Sequence, residues 1–267
     1  SYAFEWRGEF AERVFLSASV REDDNEVFGA FTTWRAASSV WLYRSGSVGI
    51  RPHASVGTGV KVPTMFEQFG IIPGFFTPNP SLRPETSFGW DGGVELSGFH
   101  GRAILDVTYF NQTLEDRIET VFAPVWTAVN RPGDSHREGV EVAARFRPFD
   151  AFMLGLSYTY LDATYPDGAR EIRRAPHSGR VDAGYLFDGG RGSISVAAIY
   201  NGRMDDAAFR LPFFTTERVA LSDYWLVTAG ASYKLQPGLE IYGRVENLLD
   251  QRYQEVYGFN TPGIAAY

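Results

Sequence analysis

The 267-residue chain contains no cysteine, only three methionines and four histidines. The first absence excludes disulfide frameworks, thiolate metal centres and thiol redox chemistry, without choosing a compartment. Basic residues are also scarce. Against 32 Asp and Glu there are 25 Lys and Arg, a net charge of −7, which disfavours the basic stripe of a nucleic-acid binder. No membrane helix is encoded: the longest uncharged apolar stretch, Ala151 to Leu161, falls well short of ~20 residues. No charged, apolar, small-residue leader is present. The chain starts at Ser1 in a strand-like stretch and stops at Tyr267 just as a new alternation begins. That predicts an internal fragment of a longer protein, with any targeting signal out of view.

What is abundant points to β-structure. Aromatics make up 15% of the chain, alongside 28 Gly and 14 Pro, a composition of strands and turns. At 44% hydrophobic and 21% charged the chain is too apolar for disorder. Period-2 alternation is plain in several places. Val140, Val142, Ala144 and Phe146 share one face, opposite Glu141, Arg145 and Arg147. Trp225, Val227, Ala229, Ala231, Tyr233 and Leu235 oppose Tyr224, Thr228, Ser232 and Lys234. Leu239, Ile241, Gly243 and Val245 oppose Glu240, Tyr242, Arg244 and Glu246. Similar stretches near 2–7, 14–20, 31–43, 48–58, 88–96, 103–109, 152–160, 181–187 and 194–200 predict about twelve strands, plus an incomplete one at the end, with no helix between them.

The connections alternate short and long. Short ones fall at 10–12, 44–47, 98–101, 148–151, 188–192 and 236–238, most with Gly, Pro or Asp turn chemistry. Long ones fall at 22–28, 59–85, 116–136, 163–177, 203–222 and 247–263. In an up-and-down meander every second turn lies at the same end, so one end is tight and the other elaborate. A soluble sandwich has no reason to keep that asymmetry, whereas transmembrane β-barrels do.

Strand length agrees. Residues 224–235 would reach roughly 40 Å at ~3.3 Å each, longer than ordinary soluble strands and sufficient for a tilted membrane strand. The quoted apolar faces carry no charge, and a Lys or Arg facing lipid at the midplane costs about 2–4 kcal/mol. Aromatics recur near strand ends (Trp41 and Tyr43, Tyr158 and Tyr160, Tyr185 and Phe187, Trp225, Tyr233), as interfacial girdles require. The opposite parity, with Glu141, Arg145, Asp182, Glu240, Arg244 and Glu246, suits a wide polar lumen and not a dry core. The fold class expected is all-β, an antiparallel up-and-down transmembrane β-barrel. The competing reading is a lectin-like or sandwich protein whose aromatics form its core.

Several segments resemble the C-terminal barrel of TonB-dependent outer-membrane receptors. Gly57-Thr58-Gly59-Val60-Lys61-Val62-Pro63-Thr64-Met65-Phe66-Glu67-Gln68-Phe69-Gly70 resembles a stretch leading from a strand into a long outer loop. Asn79-Pro80-Ser81-Leu82-Arg83-Pro84-Glu85-Thr86-Ser87 is similar to the family's NPxLKPE segment. Tyr109-Phe110-Asn111 through Asp116-Arg117-Ile118 resembles its FYN segment, and Asn130 with Gly139-Val140-Glu141 a later strand start. Near the end Asn247-Leu248-Leu249-Asp250 with Tyr253, then Pro262-Gly263, resembles its NLfD and PGR pieces, with Ile264 where a basic residue is usual. These pieces keep the family's order over nearly the whole chain. The style of the loops is most like the cobalamin-receptor branch.

The resemblance implies a barrel of about 22 strands around a plug. Residues 1–267 would then be a C-terminal portion of the barrel, incomplete at both ends, with about 12–13 strands, no plug and no TonB-box segment. It also implies structural motif positions at Pro63, Glu67, Asn79, Leu82, Pro84, Glu85, Asp116, Gly139, Glu141, Asn247, Leu248, Asp250, Tyr253 and Gly263. The partners implied are outer-membrane lipid and lipopolysaccharide, the TonB complex through the missing plug, and an iron-siderophore or cobalamin-type ligand. No nucleic acid and no cofactor is implied.

The longest loop is flanked by Pro63 and Pro84 and holds Pro73, Pro78 and Pro80. It reads either as a ligand-capturing outer loop or as a rigid surface loop. Its aromatics Phe69, Phe75 and Phe76 are the weak ligand-binding candidates, with self-packing of the loop as the alternative. The acidic group Glu22, Asp23, Asp24 and Glu26 lacks EF-hand spacing and is expected on a solvated or lipopolysaccharide-facing loop. His53, His100, His136 and His177 have no ligand spacing. No catalytic motif occurs, and Ser157 sits mid-strand. Asn247 and Asp250 are expected to fix a turn by side-chain hydrogen bonds. The function expected is energised uptake of a large, scarce ligand across the outer membrane. The alternatives are a passive porin, an outer-membrane barrel enzyme using some of the histidines, and a soluble β-rich binding module.

Overall fold

The computed structural model describes residues 1–73, 76–121, 126–210 and 215–267. Its wall begins with β1 (Tyr2–Phe10), β2 (Val14–Asn25), β3 (Gly29–Val40), the short β4 (Tyr43–Arg44) and β5 (Gly49–Lys61). After a helical turn, α1 (Met65–Phe69), follow β6 (Glu85–Gly98) and β7 (Ala103–Glu115). A hairpin of β8 (Ile118–Val121) and β9 (Thr127–Asn130) precedes β10 (Ser135–Phe146), β11 (Phe152–Thr164), β12 (His177–Phe187) and β13 (Gly192–Asn201). A second hairpin, β14 (Met204–Arg210) and β15 (Thr215–Leu221), precedes β16 (Tyr224–Gln236), β17 (Leu239–Glu246) and β18 (Ala265–Ala266).

One antiparallel sheet runs in the order β1-β2-β3-β5-β6-β7-β10-β11-β12-β13-β16-β17-β18, with β4 on β5. The twelve long strands of this meander are the twelve that alternation predicts. Among the described residues β1 and β18 do not pair with each other, so the sheet stays open. The twelve long strands run from 8 to 14 residues.

Register explains why the alternation is so consistent. Directly opposed residues in an antiparallel pair point to the same side. Following partners across the sheet, one row runs His53, Gly93, Thr108, Glu141, Thr159, Ser178, Asn201 and Tyr224. The neighbouring row runs Ala54, Gly92, Tyr109, Val140 and Tyr160. The first row and its fellows hold the charges, tied into pairs: Arg51 with Glu95 at 2.6 Å, His53 with Asp106 at 2.8 Å and Arg244 with Glu246 at 2.9 Å. This is the lumen side. The second face is apolar and free of charge until its loop end, where Glu22, Asp24, Glu115, Glu138 and Asp162 appear. This is the lipid side. Its aromatics gather near the two ends: Trp34, Trp90, Tyr109, Tyr158, Tyr160, Tyr200 and Trp225 towards the loops, and Phe10, Phe152, Tyr185, Phe187 and Tyr233 towards the tight turns.

Trp41 departs from the expected girdle. The Arg44 and Arg51 guanidiniums stand 5.3 and 5.1 Å from its ring centroid, placing it on the lumen side, and the predicted strand breaks at Trp41 and Leu42. The tight turns are as expected. At Phe99-His100-Gly101 (φ 52°, 59°, 80°) and Asp188-Gly189-Gly190 (φ 50°, 62°, 87°) three successive residues take the left-handed conformation, which matches the right-handed twist of the flanking strands.

At the elaborate end three expectations fail. The segment 22–28 is not a long loop: β2 continues to Asn25 and β3 resumes at Gly29, with Asn25 Oδ1 accepting the Val27 and Phe28 N–H groups at 2.9 and 3.0 Å. Glu22 and Asp24 therefore sit on a strand above the lipid, where charge is tolerated. A helix does occur, α1, opened by the capping box of Thr64 and Glu67. Two of the long connections contain strands of their own, the β8–β9 and β14–β15 hairpins.

Candidate functional site

The long loops form a layer above the sheet, and its best-built part joins the β5–β6 loop to the β8–β9 hairpin. Pro63, two residues beyond β5, is buried. Thr64 then caps α1: its hydroxyl accepts the Glu67 N–H at 3.2 Å, while Glu67 Oε2 accepts the Thr64 N–H at 2.7 Å. The helix presents Phe66, which stacks on Phe76 at 4.8 Å between ring centroids, and Phe76 meets Trp126 edge-on at 5.8 Å. Phe76, Leu82, Ile118 and Ala128 make a small core. Each large member contributes about 1.5–3 kcal/mol on burial.

The resemblance motif residues frame that core. Asn79 donates from Nδ2 to the Ala128 carbonyl at 2.9 Å, and its N–H donates to the Glu67 carbonyl at 3.2 Å. Glu85 Oε1 accepts the Ile118 N–H at 2.6 Å and the Lys61 ammonium at 3.2 Å. Asn130 completes the seam, accepting from Arg83 N–H at 2.8 Å and donating to the Arg83 and Asp116 carbonyls at 2.9 and 2.6 Å. Asp116, with φ +51°, pairs with the Arg83 guanidinium. The hydrogen bond from Arg83 holds its carboxyl below the ordinary carboxylate range. Pro84 lies half-buried between Arg83 and Glu85. Of the aromatic candidates, Phe76 is turned into the core and 4% exposed, whereas Phe69 is 50% exposed. Phe75 lies outside the described residues.

A polar seam ties the next loops together. Glu171, whose side chain is fully buried, lies 2.8 Å from Arg117 Nη1 and 2.9 Å from Arg137 Nη2, with Arg174 Nε at 3.8 Å. Arg131 binds Glu119 and Asp167 at 2.8 and 2.9 Å, and its guanidinium lies 4.1 Å from the Tyr165 ring centroid. Asp206, also buried, accepts the Tyr257 and Ala207 N–H groups and the Arg173 Nε, each at 2.7 Å. Burial pushes its carboxyl up, but those three donors outweigh it and leave the pKa below the ordinary value. Sequence reading missed Glu171 and Asp206, because each meets its arginines through the fold and not through local spacing.

Two motif glycines are explained by crowding. A Cβ on Gly139 in β10 would collide with the Tyr160 carbonyl of β11 and the Phe110 ring, and one on Gly263 would stand 2.6 Å from Asp250 Oδ1. Glu141 is on the lumen row. Asn247 (φ +48°) accepts the Gln251 N–H at 2.8 Å and donates to the Gln251 and Pro262 carbonyls at 2.9 and 3.2 Å. Leu248 N–H reaches the Val227 carbonyl at 2.8 Å, Asp250 Oδ1 accepts the Ile264 N–H at 3.0 Å, and the Tyr253 and Tyr224 ring centroids are 4.4 Å apart.

The chemistry on offer is binding. Among the described residues no cluster of three or more His, Asp or Glu is placed to hold a metal ion. The histidines are scattered: His53 bonds Asp106, His136 faces Thr113 at 3.3 Å, His177 bonds Tyr158 at 2.8 Å, and His100 sits in a tight turn. The hydroxyl of Thr108 donates to Asp106 and not to His53, so no nucleophile–base relay forms there.

Comparison with known proteins follows the same line. Residues 1–248 match the family described as TonB dependent receptor-like, beta-barrel. The chain is similar to the vitamin B12 transporter BtuB of Photobacterium profundum, 32% identical over 248 residues, covering 89% of this chain and 37% of that protein. It thus spans little over a third of that relative's length. In fold it resembles the siderophore receptor PirA from Acinetobacter baumannii (TM-score 0.79, 15% identity, 99% of this chain and 44% of that one). It also resembles the ferripyoverdine receptor of Pseudomonas aeruginosa (TM-score 0.73, 14% identity, 98% and 36%). The chain therefore belongs to the TonB-dependent receptor family, outer-membrane β-barrels that act as receptors and transporters and not as enzymes.

Proposed function

We propose that residues 1–267 are the C-terminal portion of a receptor barrel that takes up a large, scarce ligand, a ferric siderophore or a corrinoid, at the expense of TonB-transmitted energy. The observation that carries this reading is the difference between the sheet's two ends. Tight turns close one end, while the other bears a packed layer with its own core and ion-pair seam, rigid enough to present a binding surface. The similarity to a vitamin B12 transporter favours a corrinoid over an iron chelate. In this reading a plug encoded elsewhere in the protein contacts TonB, the lumen row faces that plug, and the lipid row faces outer-membrane lipid and lipopolysaccharide. Of the three loop aromatics named as candidates, Phe69 is exposed and available to a ligand ring. The protein's part is differential binding and gating, not bond chemistry.

The test is uptake by cells carrying the full-length gene. Labelled cyanocobalamin and a panel of ferric siderophores are offered with and without TonB and with an uncoupler of the proton gradient. Accumulation of one ligand that stops without TonB is the expected result. Uptake that persists without TonB, and scales only with solute size, would mean a passive channel.

A further inference from the structure

A recess of about 650 Å³ lies between the 165–176 loop and the start of β14. Its floor is Tyr160, His177 and Tyr200, and its walls carry Arg170, Arg174 and Arg203. Register fixes which side of the wall this is. Tyr160 pairs with Val140 and with His177, and Tyr200 pairs with Trp225, all in the apolar, lipid-facing rows. The recess therefore opens outward, at the height of the aromatic belt, where acyl chains give way to headgroups.

Its charge is out of balance. Arg170 and Arg203 form no ion pair with a described residue, and the carboxylate nearest Arg174 is Glu171 at 3.8 Å, already held by Arg117 and Arg137. Of the other acids at the recess, Asp205 is engaged by Arg218 at 2.7 Å, which leaves Asp223. Three arginines against one carboxylate is a surplus of two positive charges. Elsewhere at the loop end of the lipid face the charges are Glu22, Asp24, Glu115 and Glu138, which repel anions; Asp162 lies two residues beyond Tyr160 on this face but does not line the recess. An anionic group moving along this rim is thus drawn to one sector.

We propose that this recess binds the phosphate of an outer-leaflet lipid headgroup, held by the guanidiniums of Arg170, Arg174 and Arg203 above the Tyr160–His177–Tyr200 floor. Guanidinium forks match phosphate oxygens in charge and geometry, and basic pockets at a membrane rim are suited to anionic lipids. A free phosphate offers the same chemistry. The aromatic floor at acyl-chain height selects the lipid. The inference rests on the outer-membrane placement of the wall and not on which ligand is transported.

The test uses the full-length receptor in detergent, with bound lipid read by native mass spectrometry. The probes are a phosphorylated glycolipid of the outer leaflet, its dephosphorylated counterpart, and inorganic phosphate as competitor. The wild type is expected to retain the phosphorylated form selectively. Combining Arg170→Gln, Arg174→Gln and Arg203→Gln should weaken retention by about tenfold per arginine, with the triple Lys variant keeping most of it. Should the triple Gln protein fail to show the heat-dependent gel shift of a folded barrel, Arg203→Gln alone serves, with the same tenfold loss expected. Equal retention of both lipids, wild-type retention by the Gln variant, or inorganic phosphate binding as tightly as the lipid would each overturn the proposal.

Discussion

Replacing Glu171 by Gln in the full-length receptor should open the 165–176 loop without unfolding the wall. The carboxylate is fully buried, and the guanidiniums of Arg117 and Arg137 beside it are 21% and 20% exposed. Gln keeps the shape but removes the charge, so two largely desolvated cations lose their counter-ion and repel each other. Breaking a buried pair of this kind costs about 3–5 kcal/mol. Partial exposure of both arginines argues for the lower end, about 3 kcal/mol, or roughly a hundredfold in the open population. The readout is amide hydrogen exchange. The Glu171 N–H bonded to the Ala163 carbonyl, the Tyr165 N–H bonded to Ala169 and the Leu161 N–H bonded to Pro176 should exchange about a hundredfold faster, as local opening requires. Mid-strand amides such as Val142 and Leu156 should not change. Wild-type protection of all three loop amides in Glu171→Gln would refute the reasoning, because the seam would then hold without its central charge.

Three further outcomes are expected. Val142→Arg, on the lipid face, should destabilise the folded receptor in bilayers by about 2–4 kcal/mol in denaturant titrations, whereas Ala143→Arg on the lumen face should cost far less. Gly139→Val should impair barrel folding, seen as loss of the heat-dependent gel shift, since over-packing costs about 1–3 kcal/mol or more and the obstacle here is the Tyr160 backbone. The Asp206 tether should be acid-sensitive. Its folded-state pKa lies below the unfolded one, so its contribution is complete above about pH 4 and disappears as pH falls through the depressed value. Exchange of the Tyr257 amide should rise only in that acid range, and in Asp206→Asn it should be fast at neutral pH.

The wall was legible in the sequence because lipid imposes a rule on every second residue. Val140 to Phe146 and Trp225 to Leu235 alternate as they do because a charge on that side would meet hydrocarbon. The rule lapses where the lipid ends. Glu22 and Asp24 continue β2 above the membrane, so the strand was there while its signature was gone, and residues 22–28 read as a loop. Trp41 misled for the opposite reason: an aromatic near a strand end marks a girdle only if it faces outward, and here two arginines hold it on the other side. The helical turn α1 did carry a signal, the Thr64–Glu67 capping box, set in a segment too short for helical periodicity. The loop layer was the least legible part. Asn79 reaches Ala128, Asn130 reaches Arg83, and Glu171 gathers Arg117 and Arg137, contacts across tens of residues that no local pattern announces. That Asn247 could close a turn through its side chain was readable, since Asx chemistry acts over a few positions.

The β8–β9 and β14–β15 hairpins share no backbone ladder with the wall among the described residues; side-chain bonds such as Glu85 to the Ile118 N–H moor them to it, and isolated amides tie them to the neighbouring loops. Such mooring lets a hairpin be lengthened, exchanged or lost by mutation while the sheet beneath keeps its register. Sequence change can therefore gather in the loop layer and restyle that face at small cost to the sheet that carries it.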